Sequence, residues 1–346
     1  MKMKKKNIRK SLGAVCVLAI LVVVAVVVAY RSFYGSAVEQ EQSIFITGDT
    51  SYPTLCEQIE QSLGDSALKN AAFRLYAAHL NLDTRFKSGH YRLREGMSVV
   101  RVVRMLALGE QSPVRLVIGE ARTLPQLAGK IARQIEADSA SLLHTMYDRD
   151  VRRSLGYVRD SLVAMFVPNT YEVYWSISPE KLLERLKREY DSFWNAERTQ
   201  KLAQTGLSRY EAITLASIVY EETKNREEMP RIAGVYINRL RKGMPLQACP
   251  TVKYAMQKFD LKRVLHTHLK YRSPFNTYIN RGLPPAPICI PSIASIDAVL
   301  GYERSKYLYF CARPEFDGRH NFARTLQEHN ANSRKYSEQL KKRNIK

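Results

Sequence analysis

Residues 12–30 restrict this chain more than any other stretch. From Leu12 to Tyr30 no side chain is charged, and Val, Leu, Ile and Ala dominate. A helix needs roughly 20 apolar residues to cross a bilayer. The segment therefore reads as a single transmembrane helix rather than as the core of a soluble domain. Lys2, Lys4, Lys5, Lys6, Arg9 and Lys10 precede it. Cations on that side predict a cytoplasmic N-terminus and an exported remainder. The alternative is a cleaved signal peptide. The apolar run is longer than a usual signal core, and Val28-Ala29 and Ser36-Ala37 are weak cleavage sites. An uncleaved anchor in the cytoplasmic membrane is the favoured reading.

The topology reinterprets the charge. The formal net charge is +21, and the six cations of residues 1–11 leave +15 beyond them. On a cytoplasmic protein such a surplus points to nucleic acid. On an exported one, anionic lipid headgroups and an anionic cell wall are the accessible partners, so no nucleic-acid partner is expected. Cys56, Cys249, Cys289 and Cys311 follow the span, an even count that permits disulfides. No His/Cys cluster has metal-ligand spacing, so neither a metal nor a cofactor is expected. The isolated pair His266 and His268 reads as surface.

Just over 300 residues follow the span, enough for two domains. Residues 31–42 read as a tether. Residues 43–117 read as a small α/β module, with strands at 43–47, 89–93 and 114–118 and helices at 52–63, 67–80 and 98–108. Residues 118–346 read as a second, helix-rich α+β domain. Helical spacing covers 122–136, 138–147, 179–195 and 197–205. An aromatic loop and strand interrupts it at 166–175. Five of the chain's 14 prolines fall in 271–292, an irregular loop. A strand is expected at 307–310 and a polar helix at 325–343.

Chemistry concentrates at 208–223. Ser208 followed by Glu211 is a capping-box signature. Ala212, Leu215, Ala216 and Val219 then form one helical stripe, and Glu222 extends it. A carboxylic acid in an apolar position loses hydration, so its neutral form is favoured and it can act as a general acid. Alternatively the helix ends near residue 220 and Glu222 is solvated. Glu221 points about 100° away on the helix and is expected to be solvated. A second helix follows, with Pro230 in its first turn, Ile232, Val235, Tyr236 and Leu240 as its stripe, and Gly243 as its stop.

Several peptides, in order, go beyond periodicity: Ala216-Ser217-Ile218-Val219 leading to Glu222-Thr223, then Val235-Tyr236-Ile237-Asn238-Arg239-Leu240, Met244-Pro245-Leu246-Gln247, and Pro250-Thr251-Val252-Lys253-Tyr254. Phe275-Asn276-Thr277-Tyr278, Gly282-Leu283-Pro284-Pro285, Tyr307-Leu308-Tyr309-Phe310 and His320-Asn321-Phe322 follow. Together they resemble the YceG-like family of endolytic murein transglycosylases. The resemblance extends to Lys87-Ser88-Gly89-His90-Tyr91 and Arg115-Leu116-Val117, which look like the family's LysM-like subdomain, and so covers nearly the whole exported chain.

The resemblance implies internal cleavage of nascent peptidoglycan glycan strands with 1,6-anhydro-N-acetylmuramic acid ends, and a link to the peptidoglycan synthesis machinery. It places the essential glutamate at Glu222. One carboxylate can suffice, because the sugar's own 6-hydroxyl is the nucleophile and no water needs a second base. Asn238, Gln247, Asn276 and His320 are candidates for hydrogen bonds to sugar, with Thr251 beside them. Tyr254, Tyr278 and Tyr309 are candidates for stacking. Each of these also has a structural reading, as a turn cap or a core residue. Two positions depart from the family pattern, where relatives often carry acidic residues: Cys249 and Tyr220. Two other readings stand beside this one. One is a non-enzymatic, membrane-tethered wall-binding or scaffold protein. The other is a hydrolase pairing Glu172 with Glu222.

Overall fold

A computed structural model describes residues 2–64, 66–157, 159–261 and 263–343, with side-chain surroundings for all of these except 2–11, 159 and 160. The cationic side chains of the N-terminal tail lie outside the described ones. The fold is mixed α+β and rich in helix, and the chain divides into two compact units. The first comprises Met1–Arg115 with Glu172–Ile177, and the second Leu116–Tyr171 with Ser178–Lys346.

In the first unit, helix α1 (Lys2–Tyr34) contains a 23-residue apolar stretch, Leu12–Tyr34, none of it buried. At ~1.5 Å per residue such a stretch is long enough to cross a membrane. It runs four residues past the expected end at Tyr30. The following residues are not a free tether, since Ala37 and Val38 are buried in the core and Phe33 packs against it. Strand β1 (Gln42–Ile46) pairs antiparallel with β2 (Gly89–Leu93), Ile44 opposite Tyr91. Period-2 alternation buries Ile44, Ile46, Tyr91 and Leu93. Between and after the strands come α2 (Tyr52–Leu63), α3 (Ala67–His79), α4 (Leu82–Arg85) and α5 (Val99–Leu108). They supply Leu55, Ile59, Phe73, Val102 and Leu106 to the same core. Ser51, Ser66 and Ser98 cap α2, α3 and α5 by accepting the amide three residues on. Each such cap contributes about 1 kcal/mol. Strand β3 (Val114–Ile118) leads out of the unit.

The second unit continues with α6 (Leu124–Ala132), α7 (Ser139–Tyr147), α8 (Arg149–Ser154), a 3-10 turn at Arg159–Met165, and the first three residues of β4 (Asn169–Val173). Then come α9 (Pro179–Phe193), α10 (Ala196–Thr205), α11 (Arg209–Glu222), α12 (Met229–Arg241), α13 (Cys249–Ala255), α14 (His266–Leu269) and α15 (Ile293–Leu300). A hairpin of β5 (Tyr309–Ala312) and β6 (His320–Ala323) precedes α16 (Leu326–Lys342). Helix α11 is central, packed against α12, α13 and α15, while α16 covers the hairpin. The strand expected at 307–310 is displaced to 309–312, where Phe310 faces Phe322 and Ala312 faces His320. Helices α13 and α15 and strand β6 were not expected from periodicity.

Candidate active site

Helix α11 begins as its sequence predicts. Ser208 Oγ accepts the Glu211 amide, and Glu211 returns a carboxylate to the Ser208 amide at 2.8 Å. Residues 212–219 are all buried. Two hydroxyls in this run are satisfied locally. Thr214 donates to Tyr210 O at 2.9 Å, and Ser217 donates to Thr214 O at 2.7 Å. Ser217 Oγ also accepts the Ile288 amide at 3.0 Å, which ties the proline-rich loop to the helix. The helix runs through Glu222, and extended Thr223 ends it.

Glu222 is thus the last helical residue, and it opens onto a cavity of ≈ 400 Å³. The residue is partly buried, with the cavity on its open side. Burial raises its pKa to about 7, opposed by a hydrogen bond from Tyr236 and by the Lys253 charge, and assisted by Glu221. Its place at the electronegative end of α11 acts in the same direction as burial. The Tyr236 hydroxyl donates to Glu222 Oε1 at 2.7 Å. A carboxyl group that carries its proton near neutrality and faces a cavity is equipped for general acid work.

Glu221 is not solvated. Its side chain is 16% exposed, and Arg122 Nη2 donates to both of its carboxylate oxygens at 3.1 and 3.2 Å. The guanidinium, reaching from just before α6, makes that burial tolerable.

The predicted site residues separate into two groups. Gln247, Tyr278, His320 and Tyr309 line the Glu222 cavity, as does Cys249. Gln247 does so at φ +54, a left-handed backbone for a non-glycine, held by its amide to Thr277 O at 3.0 Å. The other candidates are engaged with the protein. Asn238 Nδ2 donates to Ser305 O and Tyr307 O, each at 2.9 Å. Asn276 is fully buried and donates to Leu269 O and Tyr271 O. Thr251, equally buried, donates to Ala248 O at 2.7 Å. Tyr254 packs on Phe259 and Phe275. None of these four is among the residues lining the cavity.

The two departures also part company. Cys249 lies in the cavity, its Sγ 3.2 Å from the Tyr278 hydroxyl, and burial raises its pKa. Tyr220 lies elsewhere, under the Lys224 ammonium, on a separate cavity shared with Glu120 and Arg226. Glu172 is exposed and lines no part of the Glu222 cavity. All five cysteines are free.

Periodicity missed Tyr236 as a functional side chain, because it sits on α12's apolar stripe and only the packing of α12 on α11 aims its hydroxyl at Glu222. It missed Arg239 too. That guanidinium is buried and donates to Leu308 O, Pro245 O and Leu246 O and to Gln247 Oε1. It thereby joins α12 to two sides of the cavity. Glu228, immediately before α12, is the third. It is 8% exposed and accepts from both the backbone and the ring of His320.

Three comparisons bear on this geometry. The YceG-like family profile matches residues 46–335. The endolytic murein transglycosylase of Bacillus subtilis (strain 168) is 29% identical over 281 residues, which is 77% of each chain. That of Streptococcus pneumoniae serotype 2 (strain D39) is 28% identical over 291 residues, 75% of this chain and 52% of the relative, so this chain spans about half of it. A crystal structure of a yceG-like protein from Listeria monocytogenes superposes with a TM-score of 0.56 at 28% identity, covering 84% of this chain and 98% of that one.

Proposed function

The chain belongs to the YceG-like family, and on that premise we propose that it is a membrane-anchored endolytic peptidoglycan lytic transglycosylase with Glu222 as its acid and base. Relatives named endolytic murein transglycosylase support the reaction class. The observation that carries the residue assignment is the carboxyl of Glu222, facing a cavity with a pKa pushed up to about 7. In the proposed reaction Glu222 protonates the glycosidic oxygen between N-acetylmuramic acid and N-acetylglucosamine as the C1–O bond breaks. The 6-hydroxyl of the same muramoyl residue then bonds to C1, and its proton returns to the Glu222 carboxylate. Atoms balance without water, and the enzyme ends protonated as it began.

Tyr236 steadies the carboxyl without joining the reaction. Gln247 and Tyr278 are the proposed substrate contacts. Residues 1–11 are proposed as a cytoplasmic tail, 12–30 as the core of the anchor, 43–117 as a LysM-like glycan-positioning module and 118–346 as the catalytic domain. The peptidoglycan synthesis machinery is the proposed partner on the exported side, since the substrate is nascent strand. Product chemistry on purified glycan strands tests the proposal. Anhydro ends are expected, reducing ends would show a hydrolase, and uncut strands would show a binder or scaffold.

A further inference from the structure

The cavity presents a second chemical group, on the hairpin. His320 lines it from β6, and its Nδ1 lies 3.0 Å from Glu228 Oε2. The other oxygen of Glu228 accepts the backbone amide of His320, also at 3.0 Å. With Nδ1 donating to the carboxylate oxygen, the neutral tautomer leaves a lone pair on Nε2. Nε2 has no hydrogen-bond partner among the described residues. The ring is further fixed by edge contact with Phe310 at 5.3 Å, and Phe310 meets Tyr236 edge-on at 5.7 Å. Glu222, through Tyr236, and His320 therefore flank one aromatic ring and front the same cavity.

Resting on the transglycosylase reading above, we infer that His320, oriented by Glu228, is a second catalytic group whose Nε2 accepts the 2-acetamido N–H of the muramoyl residue being cleaved. Elimination on the substrate leads there. Within a strand the muramoyl O3 is an ether and O4 is glycosidic, so the donors carried directly by the sugar ring are the 6-hydroxyl and the acetamido N–H. The 6-hydroxyl closes onto C1 from the face the leaving group vacates, which is the face of Glu222. The acetamido N–H, next to C1, is the donor left for an acceptor elsewhere in the cavity.

A hydrogen bond from that N–H to Nε2 pushes electron density onto the acetamido carbonyl oxygen. As Glu222 gives its proton to the leaving oxygen, that carbonyl oxygen bonds to C1 and the amide bears the positive charge, which the His320–Glu228 pair stabilises. Attack of O6 on C1 then breaks the temporary bond. Its electron pair returns to the carbonyl, and the O6 proton goes to Glu222. Substrate assistance of this kind needs a group to hold the amide, and among the described residues Glu222 is the one carboxylate that lines the cavity.

The test is a two-by-two cycle on the full chain. Wild type and His320→Ala are assayed by anhydro-end formation on N-acetylated glycan strands and on chemically N-deacetylated strands. His320→Ala should lower kcat on acetylated strands by about 100-fold with KM nearly unchanged. On deacetylated strands the wild type should already be slow, and His320→Ala should cost little more. Glu228→Gln, nearly isosteric, should lower kcat on acetylated strands by about 10-fold and show the same cycle, so it decides the matter if His320→Ala does not fold. Equal kcat in wild type and variant, or equal losses on both substrates, would overturn the assignment. Absence of anhydro ends with the wild type would instead sink the transglycosylase reading itself.

Discussion

Replacing Glu222 with Gln should stabilise the protein at alkaline pH while abolishing cleavage. The folded carboxyl titrates at about 7, against 4.5 for a free glutamate. Between those values the folded protein holds a proton that the unfolded chain has released. It binds more protons than the unfolded chain, so stability falls as pH rises through that window and levels off above it. The full gap, at ~1.36 kcal/mol per pH unit, is about 3 kcal/mol. Roughly 0.8 kcal/mol of it is already lost at pH 5, and solvent on the cavity side screens part of the rest. Wild type should therefore lose about 2 kcal/mol more than Glu222→Gln between pH 5 and pH 8.5. Gln preserves volume and can still accept from Tyr236, so the comparison isolates charge. Urea denaturation of both detergent-solubilised proteins at the two pH values measures it. Parallel pH dependence would mean that Glu222 titrates normally in the folded protein, and the general-acid argument would fail with it.

Tyr236→Phe removes a donor to the ionised carboxylate, so Glu222 should titrate about one pH unit higher and the alkaline limb of kcat/KM should move up with it; a limb that stays in place refutes the pairing. Glu221→Gln should retain cleavage while losing about 1 kcal/mol of stability, since it leaves the Arg122 guanidinium without a charged partner; loss of chemistry in a folded variant would give Glu221 a role denied to it here. Gly234→Ala would place a Cβ 2.3 Å from Glu303 O, where α12 meets the segment that Asn238 holds; a loss of about 1–3 kcal/mol is expected in denaturant titration, and wild-type stability would show that the backbones yield. Intact mass of the membrane-extracted protein should include residues 12–30, whereas a mature chain starting between residues 29 and 38 would reveal a signal peptide.

The features readable in the chain were those set by neighbours in sequence. A capping box needs only residues three apart, so the start of α11 at Ser208 was visible. Period 3.6 placed Glu222 on the apolar side of its helix, and a run of uncharged residues marked α1. Helix α13 escaped because Ala248 offers no capping side chain, and it is short. Strand β5 slipped by two residues because its register is set by β6, a partner that periodicity did not propose.

The site depended on tertiary structure for a related reason. Asn238, Asn276 and Thr251 are polar residues of the kind that bind sugars, yet each is turned to backbone carbonyls that folding would otherwise leave unpaired. Tyr236 resembles a core residue until α12 lies against α11 and aims its hydroxyl at Glu222. Glu228 and His320, 92 positions apart, meet because the hairpin returns to the start of α12. Local sequence determined where the longer helices fall and which face Glu222 occupied. The pKa of Glu222, its hydrogen bond and the second group across its cavity arise from burial and contact between distant segments, which only the packed chain decides.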